Sequence, residues 1–282
     1  MSPILVATDL SARSDRAVMR AAHLARDTGA PLHIVHIVDD DLPAAVLQQQ
    51  SEAAEEALRT MVAATPDLKD VPIEIDVEVG HLTRLVPTLA RERDVGLVVL
   101  GTHRARAVSD LFAQPTLAQL LKGVDRPILV AIGRPETTWK RVLLGWDFSP
   151  AGDAAVALLR KLAPDAELTI MHAWQDPYMG APYAFDVGAI GGVEAQVRAE
   201  TAERLEKAAA EVDWPSEVHH EVAGGAAANV LMRHANERDT DLLCIGRHSR
   251  AGLARFLLGE TAQTVALNAD CDVLIAPPAP EH

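Results

Sequence analysis

Two stretches of the chain, Ile4-Leu-Val-Ala-Thr-Asp9-Leu-Ser11 and Val142-Leu-Leu-Gly-Trp-Asp147-Phe-Ser149, follow one plan. Each runs through consecutive apolar residues, reaches an Asp, adds one bulky residue and stops at a Ser. The match continues outward. Pro31-Leu-His-Ile-Val-His36 is answered by Glu167-Leu-Thr-Ile-Met-His172. Asp94-Val-Gly-Leu-Val-Val-Leu-Gly101-Thr-His103 is answered by Asp239-Thr-Asp-Leu-Leu-Cys-Ile-Gly246-Arg-His248. Pro127-Ile-Leu-Val-Ala131 is answered by Asp272-Val-Leu-Ile-Ala276. The landmarks recur in the same order with small insertions between them, so the chain is a duplicated unit.

Within each copy, short unbroken apolar runs such as Leu97 to Leu100 and Leu242 to Ile245 suit parallel strands covered on both faces. Between them lie stretches of helical composition, Ser14 to Asp27 and Ala195 to Val212 among them. Ser11 and Ser149 stand where a helix cap is expected, and Pro150 follows at a first helical position. Strands alternating with helices give right-handed crossovers and a doubly wound parallel sheet, with about five strands counted per copy. Gly133-Arg-Pro-Glu-Thr-Thr-Trp-Lys140 has the composition of a linker. The expected division is therefore a first domain at 1–133, a linker at 134–140 and a second domain at 141–282.

Hydrophobic residues at 49% and charged residues at 23% describe an ordinary globular chain. A net charge of −14 argues against nucleic acid and anionic membranes as partners, since phosphate contacts need clustered Lys and Arg. The first residues enter a strand pattern without a basic segment, and no apolar run approaches the roughly 18 residues that span a bilayer. Two cysteines, Cys244 and Cys271, make no disulfide framework. Cys244 lies in a strand pattern and reads as a core thiol; a redox pair is the alternative. These points make the cytoplasm the expected location.

The shared motifs are the Asp closing the first strand, the His ending the second, the Gly-x-His after the fourth, and the closing strand preceded by Arg-Pro or Cys-Asp. In both order and spacing they resemble the universal stress protein family over essentially the whole chain. The resemblance implies two α/β domains in tandem, Rossmann-like and of the adenine nucleotide α-hydrolase type, each a five-stranded parallel sheet flanked by helices. It also implies pairing through the last strands, so that Ile128 to Ala131 face Val273 to Ala276 in an intramolecular pseudo-dimer. Further assembly into a homodimer stays open.

Nucleotide-binding members of that family carry a loop after the fourth strand: Gly, two residues, Gly, nine residues, Gly, then Ser or Thr. Glycines there let the backbone approach phosphates, which N–H groups and a helix N-terminus receive. The second copy reads Gly246-Arg-His-Ser249 and then Gly259-Glu260-Thr261. Its outer glycines match, Ser249 replaces the middle Gly, and Glu260 replaces the hydroxyl residue. The first copy reads Gly101-Thr-His-Arg104 and then Gln114-Pro115-Thr116, keeping only the first Gly. Pro115 removes a backbone donor there.

The resemblance thus implies a site for ATP, ADP or AMP, with Mg2+ accompanying it, in the second copy. Asp147, Ala173, Ile245, Gly246, Ser249, Gly259, Glu260 and Thr261 are its candidate residues. Asp147, like Asp9, reads equally as a carboxylate capping the next helix. Gly246 and Gly259 read equally as turn glycines; His103 and His248 read as residues packing on the loop, with facing a phosphate as the alternative.

No phosphate loop of the Gly-x-x-x-x-Gly-Lys type, no Gly-x-Gly-x-x-Gly and no Gly-x-Ser-x-Gly is present, so no catalytic residue is assigned. Slow ATP hydrolysis would have only Glu260 to draw on. His33 with His36, and His219 with His220, lack the other ligands of a metal site. The segment Gln175 to Gly192, beside Trp174, gathers both tyrosines and Phe185 among Gly and Pro. It reads as a lid or partner surface, or as packing over the open end of the domain. The leading functional expectation is a ligand-dependent stress-response module. The competing one is a nucleotide-independent scaffold for a protein partner or another small ligand.

Overall fold

The apolar runs become strands whose two faces are both covered. We describe a computed structural model, which covers all residues except 1, 12–13, 102–112, 136–137, 175–186, 213, 216–217, 248–257 and 279–282, with backbone alone at 113–115 and 187–194. In the first half the order is β1 (Ile4–Thr8), α1 (Ser14–Thr28), β2 (Leu32–Val38), α2 (Ala44–Ala64), β3 (Ile73–Val79), α3 (Leu82–Glu92), β4 (Leu97–Gly101), α4 (Ala113–Gly123) and β5 (Ile128–Ala131). The second half repeats it with β6 (Arg141–Gly145), α5 (Pro150–Leu162), β7 (Glu167–Trp174), α6 (Val187–Ala210), β8 (Val218–Gly224), α7 (Ala227–Glu237), β9 (Leu242–Gly246), α8 (Glu260–Asn268) and β10 (Asp272–Ala276).

All strands join one ten-stranded sheet in the order β3-β2-β1-β4-β5-β10-β9-β6-β7-β8. Pairing is parallel within each half. It is antiparallel only where the halves meet, with Val273 opposite Val130, Leu274 opposite Leu129 and Ile275 opposite Ile128. The expected facing of the last strands, and the pseudo-dimer built on it, are what the sheet shows.

Strand alternation then sorts the core. Ile4, Val6, Leu129 and Leu274 pack with α1 and α5 on one face. Leu5, Val130, Val273 and Ile275 pack with α3, α4, α7 and α8 on the other. Each apolar layer runs without a break through both halves, so neither half owns a closed core. The sheet edges are defended differently: β3 alternates Glu74, Asp76 and Glu78 with apolar residues, which discourages a further strand from pairing.

The helix caps follow the sequence reading. Ser149 accepts from the Gly152 N–H at 3.2 Å with Pro150 next in line. Ser11 Oγ receives the Ser14 N–H at 3.4 Å. Asp94 and Asp239 hold φ of 46° and 49° just past α3 and α7, a left-handed turn that Asp tolerates better than bulky residues. Neighbouring Arg93 and Arg238 reach the third strand of their own half, Arg93 to Asp76 at 2.5 Å and Arg238 to Glu221. This clamp is duplicated, and its partners are too distant in sequence to be paired by inspection. One reading is corrected: Val187 to Gly192 belong to α6, not to the preceding loop. A helix anchored downstream extends backward at one hydrogen bond per residue, which outweighs the weak propensity of Gly188, Gly191 and Gly192.

The described residues of the connector between the halves are tied down at 132–135 and at Trp139. The Asp272 carboxylate, fully buried at the start of β10, accepts the N–H groups of Ile132 and Gly133, both at 2.7 Å, and the Trp139 indole N–H at 2.8 Å. Arg20 of α1 meets the same carboxylate at 2.9 Å and stacks over the Trp139 ring. Arg20 and His23 also donate to the carbonyls of Arg134 and Pro135. Asp272 takes the place of Pro127 in the first copy, so this anchor has no counterpart there. Asp272→Ala would remove the carboxylate from a buried guanidinium and the acceptor from three N–H groups; a loss of about 3–5 kcal/mol is expected, read from urea unfolding.

His234 on α7 occupies the position of Leu89 on α3 and is equally buried. Its Nδ1 lies 3.5 Å from Glu221, while its Nε2 is buried without a partner. Burial pushes its pKa down, against the raising influence of the Glu221 carboxylate. The folded state therefore binds this proton less readily than the unfolded chain, where a histidine titrates near 6.5, about the usual value. The contribution is complete above that pH and is lost as pH falls through it. His234→Leu should gain stability over wild type between roughly pH 7 and pH 5, measured as the difference of urea midpoints.

Candidate functional site

In the second half the chain leaves β6 outward to β7, whereas β9 leads inward to β10. Adjacent strands whose chains depart in opposite directions open a crevice at their C-terminal ends. A cavity of about 380 Å³ lies there, lined from β6, β7, β9, α7 and the start of α8.

The β6 end is shaped by a turn repeated in the first copy. Phe148 has φ 58° and Leu10 φ 59°, left-handed values that cost bulky side chains about 1–2 kcal/mol. Local bonds hold both turns. Asp147 Oδ1 accepts the Ser149 N–H at 3.1 Å, and Asp9 Oδ1 accepts the Ser11 N–H at 3.0 Å and its hydroxyl at 2.6 Å. His172 Nδ1 meets the Trp146 carbonyl at 2.8 Å, and His36 Nδ1 meets that of Thr8 at 2.9 Å. A carbonyl only accepts, so Nδ1 is the donor in each pair. Trp146, Phe148 and His172 stack in series, with Arg204 of α6 over the Phe148 ring at 4.1 Å. The turn carboxylate is thus the observed role of Asp9 and Asp147. Asp147 alone also lines the cavity.

The opposite wall follows β9. A side chain at Gly246 would put its Cβ 2.9 Å from Ala151 Cβ and 3.1 Å from Gly152 N, because the first turn of α5 lies against it. Helix packing therefore accounts for this glycine. Arg247 comes next: its N–H donates to the Ala276 carbonyl, and its own carbonyl accepts the Gly259 N–H at 3.0 Å. Gly259 caps α8 at φ −64°, a conformation open to any residue. Glu260 and Thr261 open the helix, where the dipole favours the Glu260 carboxylate.

Asp147, Ala173, Ile245, Gly246, Gly259, Glu260 and Thr261 thus come together around one space from four separate segments. Ser249 and His248 lie outside the described residues, as do His103 and Arg104 of the first copy. Gln114 and Pro115 fall in the first turn of α4. Sequence reading missed Trp146, His172 and Arg247 as lining residues. His172 carried a signal in its recurrence at His36; Arg247 did not, because its partners lie in the other half.

Of the aromatic segment, Tyr178, Tyr183 and Phe185 lie outside the described residues. Trp174 is buried at the end of β7 with Gly224 beneath its ring. Both cysteines are buried and unpaired; burial pushes Cys271 up to about 12 and Cys244 further, which keeps them as core thiols. Among the described residues Asp39, Asp40 and His81 form one exposed group with metal-ligand geometry. The His81 ring turns one nitrogen to each carboxylate, at 3.9 and 3.5 Å, the arrangement of an ion pair.

The sequence model of the Universal stress protein family matches residues 1–131 and 138–277. A universal stress protein of Mycolicibacterium smegmatis is 27% identical over 297 residues, covering 98% of this chain and 97% of its own. One from Mycobacterium tuberculosis is 26% identical over 290 residues, covering 97% and 96%. The crystal structure of a universal stress protein from Archaeoglobus fulgidus superposes with a TM-score of 0.72 at 17% identity, over 98% of both chains, a likeness of fold.

The packing at Gly246 is open to test. Gly246→Ala should cost about 1–3 kcal/mol, since the methyl meets the α5 backbone and not a flexible side chain, with urea unfolding as the measurement.

Proposed function

Because this chain belongs to the universal stress protein family, with two such units in tandem, we propose that it is a stress-response protein whose second unit binds an adenine nucleotide. ATP, ADP and AMP are the candidates. The observation that carries the reading is the convergence of seven candidate residues on one cavity at the switch point of the second half. Apolar Ala173 and Ile245 suit the base, Asp147 the ribose hydroxyls, and the N-terminus of α8 at Gly259 and Thr261 the phosphates. Glu260 stands at that phosphate end, so Mg2+ would accompany a polyphosphate there.

The first unit, 1–133, is read as structural, joined through 134–140 to a ligand-binding unit at 141–282. The turn at Leu10 copies the turn at Phe148, but Pro115 sits in the first turn of α4, where a phosphate would seek N–H donors. The protein is read as a binding module, not an enzyme. A cytoplasmic setting accords with two cysteines buried as free thiols.

Calorimetric titration of the purified chain with ATP, ADP and AMP, with and without Mg2+, tests the reading. Binding is expected, and Gly259→Asp should weaken it at least tenfold, about 1.4 kcal/mol, by placing a carboxylate at the helix N-terminus. No heat and no bound nucleotide at millimolar concentration would overturn it and favour a nucleotide-independent scaffold.

A further inference from the structure

The loop motif assigns no role to Arg247, yet this residue joins the cavity to the other half of the molecule. It is only 3% exposed and lines the cavity. One terminal nitrogen donates to the Lys122 carbonyl at 2.7 Å and the other to that of Val124, at the C-terminal end of α4. A cation at a helix C-terminus meets the negative end of the dipole and carbonyls without helical partners. The first half thus fixes the guanidinium on two sides. The third nitrogen, Nε, has its N–H buried without a partner. Burial also depresses the guanidinium pKa, against the raising influence of Asp125. A buried, desolvated cation with an unpartnered Nε–H is a group that an anion would satisfy.

We propose that Arg247 is the anion-recognising residue of the cavity, its Nε–H donating to a phosphate oxygen of the ligand. The first half contributes to the site through the α4 carbonyls that hold the side chain. This rests on the reading that the cavity takes an adenine nucleotide. It adds that a phosphorylated ligand is distinguished from the bare nucleoside by the side chain at a position of the glycine loop where the motif sets no residue type. The carboxylates of Asp147 and Glu260 make that donor matter more, since each opposes a phosphate.

The test compares AMP with adenosine. For Arg247→Gln, calorimetry should show AMP binding weakened roughly tenfold or more, the loss of one charge-assisted hydrogen bond, with adenosine unchanged within about twofold. A purely structural arginine would weaken both alike, and that result overturns the proposal, as does an unchanged AMP affinity. Should the variant fail to fold, wild-type protein gives a second readout: a solvent-protected arginine Nε–H resonance should shift with AMP and stay with adenosine. If it moves with both or neither, the proposal fails. If wild type binds adenosine and AMP equally, only this assignment falls; if it binds no adenine compound, the reading of the cavity falls with it.

Discussion

Two parallel five-stranded sheets, each ending in an apolar strand, cannot stand apart in water without exposing a row of unpaired backbone groups. Antiparallel pairing of β5 with β10 removes that edge from both halves at once. Everything else depends on this seam. It makes the two apolar layers continuous, so Leu129 and Leu274 share one layer while Val130 and Val273 share the other. It leaves β3 and β8 as the outer edges, with alternating carboxylates on β3. It also places the carboxylate of Asp272 against the connector, where a composition suited to a loose tether is held at Ile132, Gly133 and Trp139.

The duplication preserved the parts that build the sheet more faithfully than those that face the crevice. Strand-end turns at Leu10 and Phe148, histidines bonded to the preceding strand, and arginine clamps after α3 and α7 occur in both copies. Each satisfies backbone groups or charges that the fold would otherwise leave unmet, so each copy needs its own. Asp272, His234 and Arg247 occur once. Asp272 and Arg247 bind groups of the other half, where symmetry does not constrain them. An asymmetric tandem chain can thus hold residues of one half with groups of the other.

Much of this was legible in the residues themselves. Repeated landmarks led to the tandem fold, and the family resemblance they carried implied the facing of the last strands. Apolar runs marked the buried strands, and Ser149 with Pro150 marked a helix start. Seven of the candidate residues, Asp147, Gly246 and Gly259 among them, line one cavity. The clamps from Arg93 and Arg238 were not legible, nor was the reason for Gly246, which lies in the approach of Ala151. The start of α6 at Val187 was also missed, because glycines mask a helix whose stability comes from its anchored later turns.

By itself the sequence determined what depends on local chemistry and periodicity: the duplicated α/β unit, the order of its elements, and the segments that end beside one another at the sheet's C-terminal edge. Only the tertiary structure decided which of those segments share a cavity and what holds them. Asp272 meets Arg20, and Arg247 meets the end of α4, across more than a hundred residues of chain. Such contacts leave no periodic trace, because a carboxylate or guanidinium reads alike in sequence whether it faces water or a buried partner. Burial separates the two cases, and burial is a property of the assembled sheet.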